Sequence, residues 1–225
     1  MAAKPPSAPD DASWKIAEYE RHFNTIQAGI RGLASVWLLA AFGAIATLLR
    51  REEADKLWVP PEWVIGSICA MGAGGLALLW IIDQLVYHRL LNAAFIVGLK
   101  LELDEPGRPP MHASMYASMP RHGFARLLSL FYVLPIAALG AIALAAAIYA
   151  VGGDPESWDW ALFALAAVPV ALAVGVLRQG GRERAFFREQ AGHFGDADFQ
   201  ALFGATPGAG RFDKLLARHR SHSSP

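Results

Sequence analysis

Charge is missing from four long stretches of this chain. Gly32–Leu49, Trp63–Ile82, Leu127–Gly153 and Trp160–Leu177 contain no Asp, Glu, Lys or Arg. A helix on a soluble surface needs a polar stripe, so these stretches exclude ordinary amphipathic surface helices. Each is long enough to cross the ~30 Å hydrocarbon core of a bilayer as a helix. Basic residues are also scarce in two connections. None occurs in Gly152–Asp159, and the connection after the first stretch has only Arg50, Arg51 and Lys56. The other 17 of the 20 Lys and Arg lie in the N-terminal segment, the middle connection and the C-terminal tail. That bias predicts both termini in the cytoplasm. Cys69 is the only cysteine, which excludes an intrachain disulfide. Met1–Ser13 lacks the apolar core of a signal peptide, so the first span is expected to act as an uncleaved anchor.

Signatures of catalysis are missing too. The seven histidines form no zinc-ligand spacing on one helix and no His-Glu-x-x-His. Gly72-Ala-Gly-Gly75 lies inside an apolar stretch, and Gly204–Gly210 lacks a following Lys-Ser/Thr, so no phosphate loop is present. Ser35 and Ser67 read as membrane serines bonded to backbone rather than as nucleophiles. No cofactor, metal or catalytic residue is expected, and the scattered basic residues without interleaved exposed aromatics argue against nucleic acid.

What is present is helical periodicity. The reading is an all-α membrane protein with four transmembrane helices and both termini inside. Residues 1–13 form a disordered leader. Residues 14–104 form a long helical hairpin with spans at 32–49 and 63–82. Residues 105–125 are a cytoplasmic loop with no clear period. Residues 126–178 form a second hairpin with spans at 127–151 and 159–177, the first kinked by Pro135. Residues 179–225 are a tail with short amphipathic helices, one of which, Arg182–His193, lies on the inner leaflet or packs on the cytoplasmic helices.

Two apolar stripes extend the first spans beyond the lipid. Ile16, Tyr19, Phe23, Ile26, Ile30, Leu33 and Trp37 repeat at steps of three and four, as do Val86, Leu90, Ala93, Val97 and Leu101 at helical spacing. A short outer connection makes the two helices antiparallel. Their extensions are expected to pair in the cytoplasm and bury each other's seam.

Two further features are candidates for function. Asp83, Tyr87, His88 and Arg89 make a polar cluster where the second span meets the cytoplasmic interface. Asp83 there pairs either with Arg89 or with a base on the first helix such as Arg31. Ionisable groups at membrane depth are functional candidates, and the bland reading is an interfacial cluster that merely snorkels. Gly66, Ala70 and Gly74 share one small-residue face of the second span. Such faces let helix backbones approach closely, either within one bundle or between subunits.

The segments Ile16–Glu20, Ile26–Ala41, Leu79–Phe95 and Gly98–Glu102 resemble a group of uncharacterised bacterial multi-span inner-membrane proteins. The layout is similar to SLATT-type membrane effector modules, which place a cytoplasmic helix before a membrane hairpin. These resemblances imply a class and no activity. The expected function is a non-enzymatic inner-membrane module that self-associates or docks a protein partner through its cytoplasmic helical pair. The alternative is a channel or pore-forming effector assembled through small-residue faces.

Overall fold

The computed structural model describes residues 11–50, 58–104, 111–118, 124–151 and 161–179, with a few positions between 186 and 194. Residues 1–10 of the expected leader and the tail after Phe194 lie outside the described residues, while residues 11–13, also expected in the leader, open the first helix. All regular structure among the described residues is helical: α1 (Asp11–Leu48), α2 (Pro61–Trp80), a π-helical segment (Ile81–Tyr87), α3 (His88–Asp104), α4 (Met111–Ser118), α5 (Phe124–Val151) and α6 (Ala161–Gln179). Among the described residues, four helices are long and apolar enough to cross a membrane. The chain is therefore read as a multi-pass membrane protein.

Local chemistry explains several of these boundaries. Pro61 opens α2 at a position where its missing N–H is no loss, and Glu62 in the first turn complements the helix dipole. Pro135 and Pro169 both lie inside helices that continue through them. Two elements exceed the bilayer. The 38 residues of α1 rise roughly 57 Å and the 44-residue helix Pro61–Asp104 roughly 65 Å at ~1.5 Å per residue. Each is about twice the ~30 Å that a hydrocarbon core accommodates.

The chain divides into two compact units. The membrane unit comprises Ala28–Val86 and Ala125–Gly181. The second unit comprises Met1–Gln27, Tyr87–Phe124 and Arg182–Pro225.

The membrane unit is packed through small side chains. Ala34 and Ala41 of α1, Cys69 and Ala73 of α2, Ala143 of α5, and Ala166 and Ala173 of α6 are buried in one cluster, with Leu76, Ile136 and Leu139 filling the larger spaces. Leu33, Val36, Leu39, Met71, Leu78, Leu134 and Ile148 face outward. Water would disfavour such a surface. Lipid tails do not, and in lipid helices associate by close packing of small residues. At Gly75 the packing excludes even a methyl group, because a Cβ there would collide with the Trp37 ring. That ring is held by its indole N–H, which donates to the Gly72 carbonyl at 3.1 Å. Gly75→Ala is expected to destabilise the protein by about 1–3 kcal/mol through overpacking. Gly74→Ala, where a Cβ meets open space, should leave thermal unfolding unchanged or slightly raised.

The second unit has its own small core. Phe95, Ile96 and Leu99 of α3 and Ala113 of α4 are buried, and so are the polar Gln27, His88, Asn92 and Glu102. Helices α3 and α4 pack on each other. Helix α4 falls in the segment expected to be a loop. Eight residues are too few for a stable isolated helix, so contacts elsewhere in the unit must hold it.

Candidate functional site

The polar centre of the membrane unit is built on the π segment. A π turn takes about one residue more than an α turn. Two consecutive residues of this segment, Asp83 and Gln84, are buried. Asp83 is 0% exposed. Arg31 of α1 donates to it from Nε to Oδ2 at 3.0 Å and from Nη2 to Oδ1 at 3.4 Å. The Tyr132 hydroxyl of α5 donates to Oδ2 at 2.9 Å, and Gln84 Nε2 donates to the same oxygen at 3.2 Å. One turn earlier, the Trp80 indole N–H donates to the Ser129 hydroxyl at 3.2 Å. The site thus ties α1, the π segment and α5 through one carboxylate.

Electrostatics explains the arrangement. An ionised carboxylate away from water is costly unless it is paired and hydrogen-bonded. Arg31 supplies the opposite charge while its side chain stays 29% exposed. Arg31 and Asp83 cancel, so the centre carries no net formal charge. Its contacts fasten helical segments to one another.

The expected cluster divides at this point. Asp83 lies in the membrane unit, whereas Tyr87, His88 and Arg89 belong to the second unit. His88 is buried there and Tyr87 half-buried. The Arg89 guanidinium lies 5.7 Å from the Phe186 ring centre, within cation–π range. That contact seats Phe186, part of the expected tail helix, against α3. Of the two bases considered for Asp83, Arg31 holds it. Tyr132 and Ser129 lie inside a charge-free stretch, where no sequence signal marks them as partners of the second helix.

The small-residue face is likewise divided in use. A Cβ at Gly66 would sit 3.2 Å from Leu162 and 3.6 Å from Leu165, so this glycine serves the packing of α2 on α6. Ala70 is half-buried, and Gly74 faces open space.

The two apolar stripes are largely turned outward. Tyr19, Val86, Leu90 and Val97 are exposed, and Ile16, Phe23, Ile26 and Ile30 are half-buried. The buried positions of α1 are Gln27, Ala34, Ala41 and Ile45. On α3 they include His88, Asn92, Phe95, Leu99 and Glu102, at steps of four and three. The enclosed faces mix polar and small residues with Ile45, Phe95, Ile96 and Leu99, none of which belongs to the two stripes.

A second polar centre lies in the second unit, around His112. Its Nδ1 is 2.6 Å from Glu102 Oε1 and its Nε2 is 2.9 Å from Glu20 Oε1. The backbone N–H of His112 donates to Glu102 Oε1 at 2.8 Å, and that of Ala113 to Oε2 at 3.1 Å. These are two of the donors that the first turn of α4 leaves without helical partners, so Glu102 caps α4 from another helix. Phe95 meets the imidazole edge-on, with centroids 5.3 Å apart. A neutral imidazole carries one N–H, so hydrogen bonds from both nitrogens to carboxylates require the imidazolium. Burial alone would lower the His112 pKa, but the hydrogen bonds and charges of Glu102 and Glu20 outweigh it and raise the value to about 9. Burial would likewise raise the Glu102 pKa. The His112 ring and the two backbone N–H groups outweigh that and hold it below the ordinary value.

Compared with protein families, curated proteins and solved structures, the chain matches none.

Proposed function

We propose that this protein is a non-enzymatic module of the bacterial inner membrane, with both termini cytoplasmic, that self-associates or docks a protein partner through the extensions of its first two helices. The observation that carries the reading is the exposure of large apolar side chains on those extensions. Tyr19 is 56% and Val97 40% exposed, and Trp14, Leu90, Met111 and Met115 are exposed in the same unit. Tyr19 lies 13 residues before the charge-free stretch at Gly32, and Val97 lies 15 residues beyond Ile82. At ~1.5 Å per residue each is roughly 20 Å along its helix from the nearest span. Both positions therefore lie beyond the charge-free spans. Exposed apolar groups outside lipid mark interaction surfaces. The Lys and Arg bias supports the cytoplasmic side. The self-neutralised Asp83–Arg31 pair supports a fastened bundle over a charge-lined pore.

Cysteine crosslinking in native membranes tests this. In a Cys69→Ala background, Tyr19→Cys and Val97→Cys are expected to give discrete crosslinked species of defined mass. Leu99→Cys, on the buried face, should give none. Monomer alone at both exposed positions, with no partner captured, would remove the main support for the reading.

A further inference from the structure

We propose that Glu20, His112 and Glu102 form an alkaline-release latch, which holds α4 against α1 and α3 while the imidazole carries two protons and frees it when one is lost. The geometry makes the latch depend on protonation. Both ring nitrogens face carboxylate oxygens, Nδ1 toward Glu102 at 2.6 Å and Nε2 toward Glu20 at 2.9 Å. Loss of either proton abolishes one bond and turns a lone pair toward a carboxylate. The ring has little room to rearrange. A Cβ at Gly98 would lie 2.5 Å from His112 Nε2, so the imidazole rests directly on the α3 backbone, with Phe95 at its edge. The charged groups facing it are Glu20 from α1 and Glu102 from α3, and the same Glu102 carboxylate caps α4. Losing the imidazolium therefore weakens a contact that holds these eight residues as a helix.

The direction follows from linkage. A group whose folded pKa is raised adds stability that is fully present below its ordinary value of 6.5 and is lost as pH rises through about 9. The latch is closed at neutral pH and opens under alkaline conditions. Glu102, held low, keeps it closed well into the acid range.

Amide hydrogen exchange of the full chain in nanodiscs, corrected for the intrinsic base-catalysed rate, reads the latch directly. Protection over Met111–Ser118 is expected to fall on the order of a hundredfold between pH 6.5 and pH 10, at up to tenfold per pH unit. Protection within α5 should stay level. His112→Gln, which cannot carry the charge, should show low protection over Met111–Ser118 at every pH. Glu20→Gln should move the midpoint to lower pH. Wild-type protection that ignores pH up to 10, His112→Gln behaving as wild type, or an unmoved midpoint in Glu20→Gln would each overturn the three-residue latch.

Discussion

Asp83→Ala is expected to destabilise the membrane unit by about 3–5 kcal/mol, the range for breaking a buried ion pair by removing one partner. The substitution deletes the acceptor for Arg31, Tyr132 and Gln84 together. It leaves the guanidinium and the phenol hydroxyl without the carboxylate that received their protons. The Gln84 amide loses the acceptor for its Nε2, and its Oε1 is already buried without a hydrogen-bond partner among the described residues. Replacing both ions is a different matter. Arg31→Met with Asp83→Leu removes two desolvated charges and fills the space, and this double variant should recover most of the loss. Tyr132→Phe keeps the ion pair and removes one hydrogen bond to a charged group, so about 1.5–3 kcal/mol is expected. Unfolding of the purified variants in one detergent gives the ranking. A double variant no more stable than Asp83→Ala would show that Asp83 does not act through Arg31.

The second large effect is expected at Glu102. Its carboxylate accepts from the His112 ring and from the N–H groups of His112 and Ala113. Glu102→Ala leaves a half-buried imidazolium with only Glu20 and uncaps α4, which should cost the second unit about 1.5–3 kcal/mol through lost hydrogen bonds to charged groups. Glu102→Gln separates the two roles. The amide oxygen can still accept from the helix N-terminus but carries no charge for His112, so its loss should fall between wild type and alanine. Proteolysis at the α4 segment, followed at neutral pH, orders the three proteins by local opening. Equal cleavage of Glu102→Ala and wild type would refute the capping role.

Both centres were only partly legible in the sequence. Charge-free stretches locate the spans, because composition alone decides which segments lipid accepts. The long first and second helices follow from apolar repeats that continue past the charged boundaries. The facing of those repeats does not follow. In water an apolar stripe turns inward, and Tyr19, Leu90 and Val97 read that way. In the structure Gln27, Ala34 and Ala41 occupy the buried face of α1, and His88, Asn92 and Glu102 that of α3. A stripe one position round the helix has nearly the same period, so periodicity finds the helix without choosing its face. Asp83 was visible as an acid beside lipid, and Arg31 as one possible base. Tyr132 was hidden inside a stretch read only as apolar, although Ser129 and Tyr132 at a three-residue step marked a polar edge. The π segment carries no recognisable residue signature. The His112 centre joins residues 92 positions apart in the chain, and no local pattern announces such a contact.

The most direct test of the account is where the second unit lies. Trp58 is almost fully exposed in the connection between α1 and α2, and Tyr19 and Met115 are exposed in the second unit. In a Cys69→Ala background, a membrane-impermeant thiol reagent added to intact spheroplasts should label Trp58→Cys. It should label Tyr19→Cys and Met115→Cys only after the inner membrane is permeabilised. Labelling of Tyr19→Cys in intact spheroplasts would put the docking surface on the wrong side, and failure to label it after permeabilisation would place it in lipid. Either result contradicts the account.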